Sequence, residues 1–215
     1  MAEALGPLLP EVVLVGGCAM GLLVTDAASV RIRATIDVDM IIEVATLVEY
    51  YHFAERLKAQ GFTESGTDII CGWTKPPGLL LDVMPLDENI LGFTNPWYGL
   101  AIKTAETTTL SNGLELRHVS APLFLATKLE SFEARGRSDY SHHDMEDIVT
   151  LMDGRPELSV EVETAPESVR DFLRDSFDYL LSQPAFEQSL PGHVLPSMQA
   201  RIPLIYERLR AIAGL

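Results

Sequence analysis

The feature that most constrains the fold is an apolar stretch near the N-terminus that is broken by two consecutive glycines. Residues 11–15 are rich in valine and leucine and predict a buried strand, and the apolar residues 18–24 predict the start of a helix. Between them lie Gly16 and Gly17. Glycines at such a turn allow backbone N–H groups and the positive end of a helix to approach phosphate oxygens. The order strand, glycine turn, helix therefore predicts an anion-binding loop, for which the dipeptide alone is weak evidence.

Two acidic residues lie two positions apart on the next predicted strand. Residues 35–43 alternate, so that Asp37 and Asp39 share one face with Cα atoms about 6 to 7 Å apart. Like charges at this separation repel, and hard divalent cations such as Mg²⁺ relieve the repulsion. An Asp-x-Asp pair alone is more often a solvated strand end. A metal site is favoured here because a third acid, Asp82, lies within the apolar strand 79–84, where a carboxylate without a partner is costly.

The remaining patterns predict a mixed sheet followed by helices. The segment 45–60 has helical periodicity, and Asn112-Gly113 indicates a hairpin within residues 107–119. A second hairpin is predicted from strands at residues 68–73 and 79–84. We therefore predict an α+β fold with two domains: a small mixed β-sheet core with flanking helices in residues 1–119, and a C-terminal helical domain in residues 120–215 that completes the active-site cleft.

The C-terminal half predicts four helices, at residues 120–135, 141–153 and 165–182 and towards residue 215. Thr164 and Glu167 have the spacing of a capping box for the third of them. The acidic, proline-bearing segment 156–163 predicts a surface loop or linker. His142 and His143 suggest a metal pair, but neighbouring helical positions point about 100° apart, so a capping or solvent-facing role is favoured.

Composition and net charge limit the cellular compartment and the classes of partner that are expected for this chain. The chain has 215 residues, a formal net charge of −15 and two cysteines that fit no metal or redox spacing. It shows no secretory pattern and no apolar run long enough to cross a bilayer, which predicts a cytoplasmic protein without a membrane partner. The negative charge repels polyanions, so duplex nucleic acid is not expected as a partner.

Three segments together resemble the nucleotidyltransferase superfamily that includes DNA polymerase β and the minimal bacterial nucleotidyltransferases. These segments are Val15-Gly16-Gly17, Arg33-x-Thr35-x-Asp37-Val38-Asp39 and Leu81-Asp82-Val83. The later elements most resemble the AbiEii-type toxins of bacterial toxin-antitoxin systems; they are Lys128, Arg135, Asp144 and Asp147. The resemblance covers residues 12–154. Many relatives have Gly-Ser where this chain has Gly16-Gly17, so here backbone donors must contact phosphate without a serine hydroxyl.

The resemblance implies a catalytic site that uses two Mg²⁺ ions, with Mn²⁺ as a substitute. It implies that Asp37 and Asp39 hold both ions, that Asp82 holds one of them and is the candidate base, and that Lys128 contacts phosphate. It further implies nucleotide binding by Gly16 and Gly17, by Arg33 and Thr35 beside the first acids, and by Asp144 within reach of Lys128.

The implied reaction transfers a nucleoside monophosphate from an NTP to an acceptor hydroxyl. The acceptor would be RNA, in particular a tRNA end, or a protein side chain, and a toxin would have an antitoxin as partner. Two alternatives stay open. One is modification of a small hydroxylated molecule such as an aminoglycoside, which the acidic composition favours. The other is a non-catalytic domain that binds nucleotide or a partner, against which the presence of all three aspartates argues.

Overall fold

The computed structural model describes residues 1–29, 33, 35–66, 71–136 and 139–215. The chain divides into two compact units, a sheet unit and a helical unit. The sheet unit comprises Met1–Ala19 and Ala34–Ser120, and the helical unit comprises Met20–Arg33 and Ala121–Leu215. No described helix is both long enough and apolar enough to span a membrane.

The sheet unit contains seven described strands in one mixed sheet. The strands are β1 (Val12–Leu14), β2 (Asp37–Ile42), β3 (Thr63–Glu64), β4 (Gly72–Lys75), β5 (Leu79–Met84), β6 (Glu106–Thr109) and β7 (Glu115–His118). Their order in the sheet is β3-β4-β5-β2-β1-β7-β6. β2 pairs with β5, and β1 with β7, in parallel, and the other neighbours pair antiparallel. Both predicted hairpins are present, β4-β5 and β6-β7, and residues 68–70 of the predicted strand 68–73 lie outside the described residues.

The central strands are buried because their apolar residues are covered on both faces. β1 is buried throughout, and the second half of β2, from Met40 to Ile42, is buried as well. The first half of β2 is more exposed and carries Asp37 and Asp39. The apolar end of β2 therefore anchors the strand in the core, and its acidic end lies closer to solvent.

Helices complete the sheet unit. They are α1 (Ala2–Leu5), α3 (Leu47–Ala59), α4 (Glu88–Leu91) and α5 (Tyr98–Lys103). α3 is the long amphipathic helix predicted from residues 45–60, and it begins at a capping box formed by Thr46 and Glu49. Its inner face buries Tyr50, Phe53 and Leu57.

The helical unit contains the other described α-helices. They are α2 (Met20–Leu23), α6 (Ala121–Gly136), α7 (His143–Gly154), α8 (Leu158–Thr164), α9 (Glu167–Leu181), α10 (Pro184–Ser189) and α11 (Ile202–Ala213). The core of this unit is formed by apolar residues of α6, α7, α9 and α11, such as Phe124, Ile148, Phe177 and Leu209, which are fully buried. A seven-stranded mixed sheet with flanking helices and a helical C-terminal region confirms the predicted fold class.

Two local predictions in the C-terminal half are wrong. The segment predicted as a loop or linker contains α8, whose Leu158 and Val162 are buried one turn apart. The predicted capping box is absent, because Thr164 is the last residue of α8 and its hydroxyl donates to the carbonyls of Val160 and Glu161. Pro166 is the N-cap of α9 instead.

The segment Met20–Arg33 groups with the helical unit, although it precedes most of the sheet in sequence. The backbone N–H groups of Thr25 and Asp26 both donate to the carbonyl of Gly154 at 2.9 Å. Gly154 also lies so close to Val24 that a Cβ added there would be 2.8 Å from its side chain. These contacts hold residues 24–26 against the end of α7.

Candidate active site

The three predicted metal ligands lie on the adjacent parallel strands β2 and β5. In the register of this pair Asp39 is opposite Asp82, and Asp37 lies two residues earlier on β2. Neighbouring strands are about 4.8 Å apart, and residues at matching positions have side chains on the same face. One carboxylate oxygen from each of the three residues lies within 4.8 Å of the other two. The sheet thus assembles a compact acidic cluster, which we call the carboxylate triad.

Gly16 lies directly against the carboxylate triad. The N–H of Val15 donates to the carbonyl of Asp39 at 3.0 Å, so the chain leaves β1 beside this residue. Gly16 has a φ of 64°, and a Cβ built on it would lie 1.8 Å from Oδ2 of Asp39. Gly17 follows as the first residue of a 3-10 turn, Gly17–Ala19. Gly16 is therefore required both for its backbone conformation and for the position of the Asp39 carboxylate.

Replacing Gly16 by alanine should weaken divalent cation binding and destabilise the fold. The left-handed conformation costs an L-residue about 1 to 2 kcal/mol, and the added methyl group would displace the Asp39 carboxylate. Gly21→Ala is the control, because a Cβ at Gly21 meets nothing within 4 Å. Calorimetric titration with Mn²⁺ and thermal unfolding measure the two effects. Unchanged Mn²⁺ affinity in Gly16→Ala would show that Asp39 does not bind the cation.

Asp82 is half-buried beside the charge of Asp37. Desolvation by burial, followed by the charge of Asp37, raises the pKa of Asp82 above its usual range. Gly72, on β4, is opposite Asp82, and a Cβ there would lie 3.5 Å from Oδ1 of Asp82, so that a small residue borders the acid. A group of carboxylates that repel one another and are partly desolvated is a fitting donor set for Mg²⁺.

Replacing Asp82 by asparagine should leave the metal-free protein equally or more stable. Because folding raises the pKa of Asp82, its charged carboxylate destabilises the native state at pH values above that pKa. The destabilisation disappears as the pH falls through that pKa and the carboxyl becomes protonated. In EDTA at pH 7 we therefore expect the melting temperature of the variant to equal or exceed that of the wild type, with the difference shrinking towards pH 4. Mg²⁺ should raise the melting temperature of the wild type alone. A variant that melts much earlier in EDTA would indicate a structural role for Asp82.

Thr35, predicted to bind nucleotide, lies next to a cysteine that the sequence did not mark as part of the site. Its Oγ1 is 2.9 Å from Sγ of Cys18, and the same thiol donates to the carbonyl of Asp37 at 3.2 Å. Cys18 thus links the glycine turn to the start of β2. The role of Thr35 in nucleotide binding stays a prediction.

The helical unit contains a second charged cluster, which includes the other predicted residues. Nζ of Lys128, on α6, lies 3.1 Å from Oδ1 of Asp144 and 2.7 Å from Oδ2 of Asp147, both on α7. Arg33 lies 3.6 Å from the same oxygen of Asp147. All three α6 and α7 residues are buried. The resemblance implies that Asp144 lies within reach of Lys128, but nothing in the sequence indicates that Asp147 contacts both cations.

The charge of Lys128 is maintained despite burial. Desolvation lowers the pKa of this lysine, but the charges and hydrogen bonds of Asp147 and Asp144 outweigh it, so that the net direction is upward. Lys128 is therefore a cation at neutral pH. The predicted nucleotide-binding roles of Lys128, Arg33 and Asp144 stay predictions.

The two neighbouring histidines lie at the start of α7. His142 is its N-cap in extended conformation, and its Nδ1 accepts from the N–H of Asp144 at 3.3 Å, which confirms the capping role expected from sequence. His143 is the first helical residue, and its pKa is lowered, mainly by desolvation. The two rings lie 4.0 Å apart. The argument that both side chains must diverge is wrong, because only one of them is in helical conformation.

Comparison with known proteins finds similar folds among solved structures, two of which are given below. An antigenic nucleotidyltransferase-like protein from Paracoccidioides brasiliensis has a TM-score of 0.47 and 22% identity over 84% of each chain. JHP933 from Helicobacter pylori has a TM-score of 0.42 and 14% identity over 99% of this chain and 85% of that one. No family model and no curated protein matches. At these values function must be argued from the chain's own residues.

Proposed function

We propose that the protein is a Mg²⁺-dependent nucleotidyltransferase, which transfers a nucleoside monophosphate from an NTP to an acceptor hydroxyl. The observation that supports this most is the carboxylate triad, whose three acids lie within 4.8 Å beside a glycine turn. A general acid-base site with two carboxylates does not need the third. Three neighbouring acids with mutual repulsion are a donor set that suits divalent cations bound to a triphosphate.

In this proposal the residues of the sheet unit have separate roles in the reaction. Asp37 and Asp39 would hold the cations, and the turn at Gly16 and Gly17 would bind phosphate oxygens through backbone N–H groups. When bound, Mg²⁺ neutralises charge on the triphosphate and makes the acceptor hydroxyl more acidic. Asp82, whose raised pKa favours proton uptake, would accept the hydroxyl proton. The acceptor oxygen then bonds to the α-phosphorus, the bond to the β-phosphate oxygen breaks, and pyrophosphate leaves.

Pyrophosphate release tests this proposal. The purified protein is incubated with each NTP, Mg²⁺ and a cell extract as the source of acceptors, and pyrophosphate is measured against Asp37→Asn under the same conditions. We expect release by the wild type that requires both Mg²⁺ and the extract. Nucleotide binding without pyrophosphate release would favour the non-catalytic alternative.

We propose that the acceptor is RNA, in particular a tRNA end, or a protein side chain. The biological role would be growth inhibition by this modification, and an antitoxin would be the partner of the protein. The net charge of −15 favours a second candidate, a cationic small molecule such as an aminoglycoside. To distinguish the three acceptors, the extract is fractionated into RNA, protein and small molecules after incubation with labelled nucleotide. The fraction that contains the transferred label identifies the acceptor. Induced expression of wild type and Asp37→Asn tests the toxin role, because only the wild type should stop growth.

A further inference from the structure

The start of α7 contains a cluster of metal-ligating side chains outside the carboxylate triad. His142, His143 and Asp144 each offer one ligand atom, and these three atoms lie within 4.8 Å of one another. Nδ1 of His142 is 3.2 Å from Oδ2 of Asp144, and Nε2 of His143 is 3.6 Å from Oδ1 of Asp144. Ligand atoms around a tetrahedral Zn²⁺ ion lie about 3.4 Å apart, since Zn–N and Zn–O bonds are about 2.0 to 2.2 Å long. The distance to Oδ2 matches neighbouring ligands of a single ion, whereas the distance of His143 is to Oδ1, the oxygen that Lys128 also contacts.

One carboxylate oxygen of Asp144 has no hydrogen-bond donor among the described residues, which is independent evidence for a cation at this position. Asp144 is 1% exposed, and its Oδ2 accepts no hydrogen bond from any described residue. Lys128 satisfies only the other oxygen, Oδ1. Nδ1 of His142 accepts a hydrogen bond from the N–H of Asp144 and donates none to Oδ2. Two acceptor atoms therefore face each other across 3.2 Å, and a buried acceptor in this state is costly unless a cation neutralises it.

We propose that His142, His143 and Asp144 bind one divalent transition-metal ion, with Zn²⁺ as the expected ion. Imidazole nitrogen with carboxylate oxygen is a donor set that suits Zn²⁺ and its neighbours in the first transition series, whereas Mg²⁺ prefers oxygen ligands alone. Coordination replaces the 3.3 Å hydrogen bond that Nδ1 of His142 accepts. His143 is 43% exposed at its side chain, so water or another ligand has access to the ion. The site is chemically distinct from the carboxylate triad, which contains no nitrogen donor.

The neighbouring charges limit the strength of this site. Lys128 contacts Asp144, and Asp147 together with Arg33 completes the charged cluster around it. The ammonium of Lys128 shares the Asp144 carboxylate with the ion and repels it. Binding should therefore be weaker than at a structural zinc site of four cysteines.

The test uses the full-length, untagged protein, stripped of metal and held in excess Mg²⁺ so that the carboxylate triad is occupied. Co²⁺ is added and its visible absorption recorded, and Zn²⁺ is titrated calorimetrically. We expect one bound ion per chain. His142→Asn retains a capping side chain, and His143→Ala removes a half-exposed ring, so both variants should fold. Each should lower the affinity about 10- to 100-fold.

Two controls separate this site from other sources of binding. His52→Ala removes an exposed histidine on α3, and it should leave the affinity unchanged. Asp37→Asn alters the carboxylate triad, and it should also leave Co²⁺ absorption unchanged. The proposal is overturned if no ion binds in the presence of Mg²⁺, or if His142→Asn and His143→Ala both bind as the wild type does. Because the readout is metal binding, these outcomes are independent of nucleotide transfer.

Discussion

Replacing Asp39 by asparagine is expected to lower nucleotide transfer about a thousandfold or more while leaving the protein folded. The amide has the same shape and still forms hydrogen bonds, but it lacks the charge that divalent cations require. A loss of about 4 kcal/mol of transition-state stabilisation corresponds to this factor. Removing one charge from the carboxylate triad also relieves repulsion, because Asp39 lies opposite Asp82 on the neighbouring strand. Transfer rate and melting temperature should be measured on the same preparation.

Glu106→Gln is the matched control for this variant. Glu106 is an exposed acid on β6, at the far edge of the same sheet, and its replacement removes one charge without touching the triad. We expect it to transfer nucleotide as the wild type does. If Asp39→Asn also did so, the acidic end of β2 would be a solvated strand end. If Asp39→Asn were unfolded, the acid would be structural.

Replacing Lys128 by methionine is expected to cost about 3 to 5 kcal/mol of stability, because it leaves two buried carboxylates without this cation. The lysine side chain is 10% exposed and those of Asp144 and Asp147 are 2% and 3% exposed. For a chain of this size the loss corresponds to a melting temperature about 6 to 20 °C lower. Thermal unfolding at pH 7 measures it.

Lys58 provides the control for Lys128. It also contacts two carboxylates, of Glu55 at 3.0 Å and Glu64 at 3.1 Å, but it is exposed on α3. Because water screens such pairs, Lys58→Met should melt close to the wild type. The raised pKa of Lys128 means that its contribution is present at neutral pH and lost as the pH rises through that pKa. An equal effect of the two replacements would show that burial does not strengthen the Lys128 contacts.

The sequence predicts which residues form the carboxylate triad better than it predicts how the strands bring them together. Alternation along one strand suffices to place Asp37 and Asp39 on one face, and the apolar neighbours of Asp82 mark it as unusual. That β5 pairs in parallel with β2, with Asp82 opposite Asp39, depends on contacts between strands about 40 residues apart in sequence. Local patterns carry no information on this register. The requirement for glycine at position 16 likewise follows from the proximity of Asp39, which only the structure shows.

The helical unit is harder to predict from sequence because its local signals compete with tertiary packing. Pro156 and several acids favoured a loop, yet burial of Leu158 and Val162 stabilises α8 there. The apparent capping box at Thr164 failed because that residue ends one helix instead of beginning the next. The partners of Lys128 also come from another helix, and spacing within α7 alone could not identify Asp147 as one of them.

The central claim is that the protein transfers the nucleotide itself and not the terminal phosphate. The most direct test compares NTP labelled at the α-phosphate with NTP labelled at the γ-phosphate, each incubated with the wild type, Mg²⁺ and cell extract. We predict that α-label becomes attached to an acceptor and that γ-label is recovered in pyrophosphate. Transfer of γ-label to an acceptor, or its release as inorganic phosphate without transfer of α-label, would contradict the proposed function.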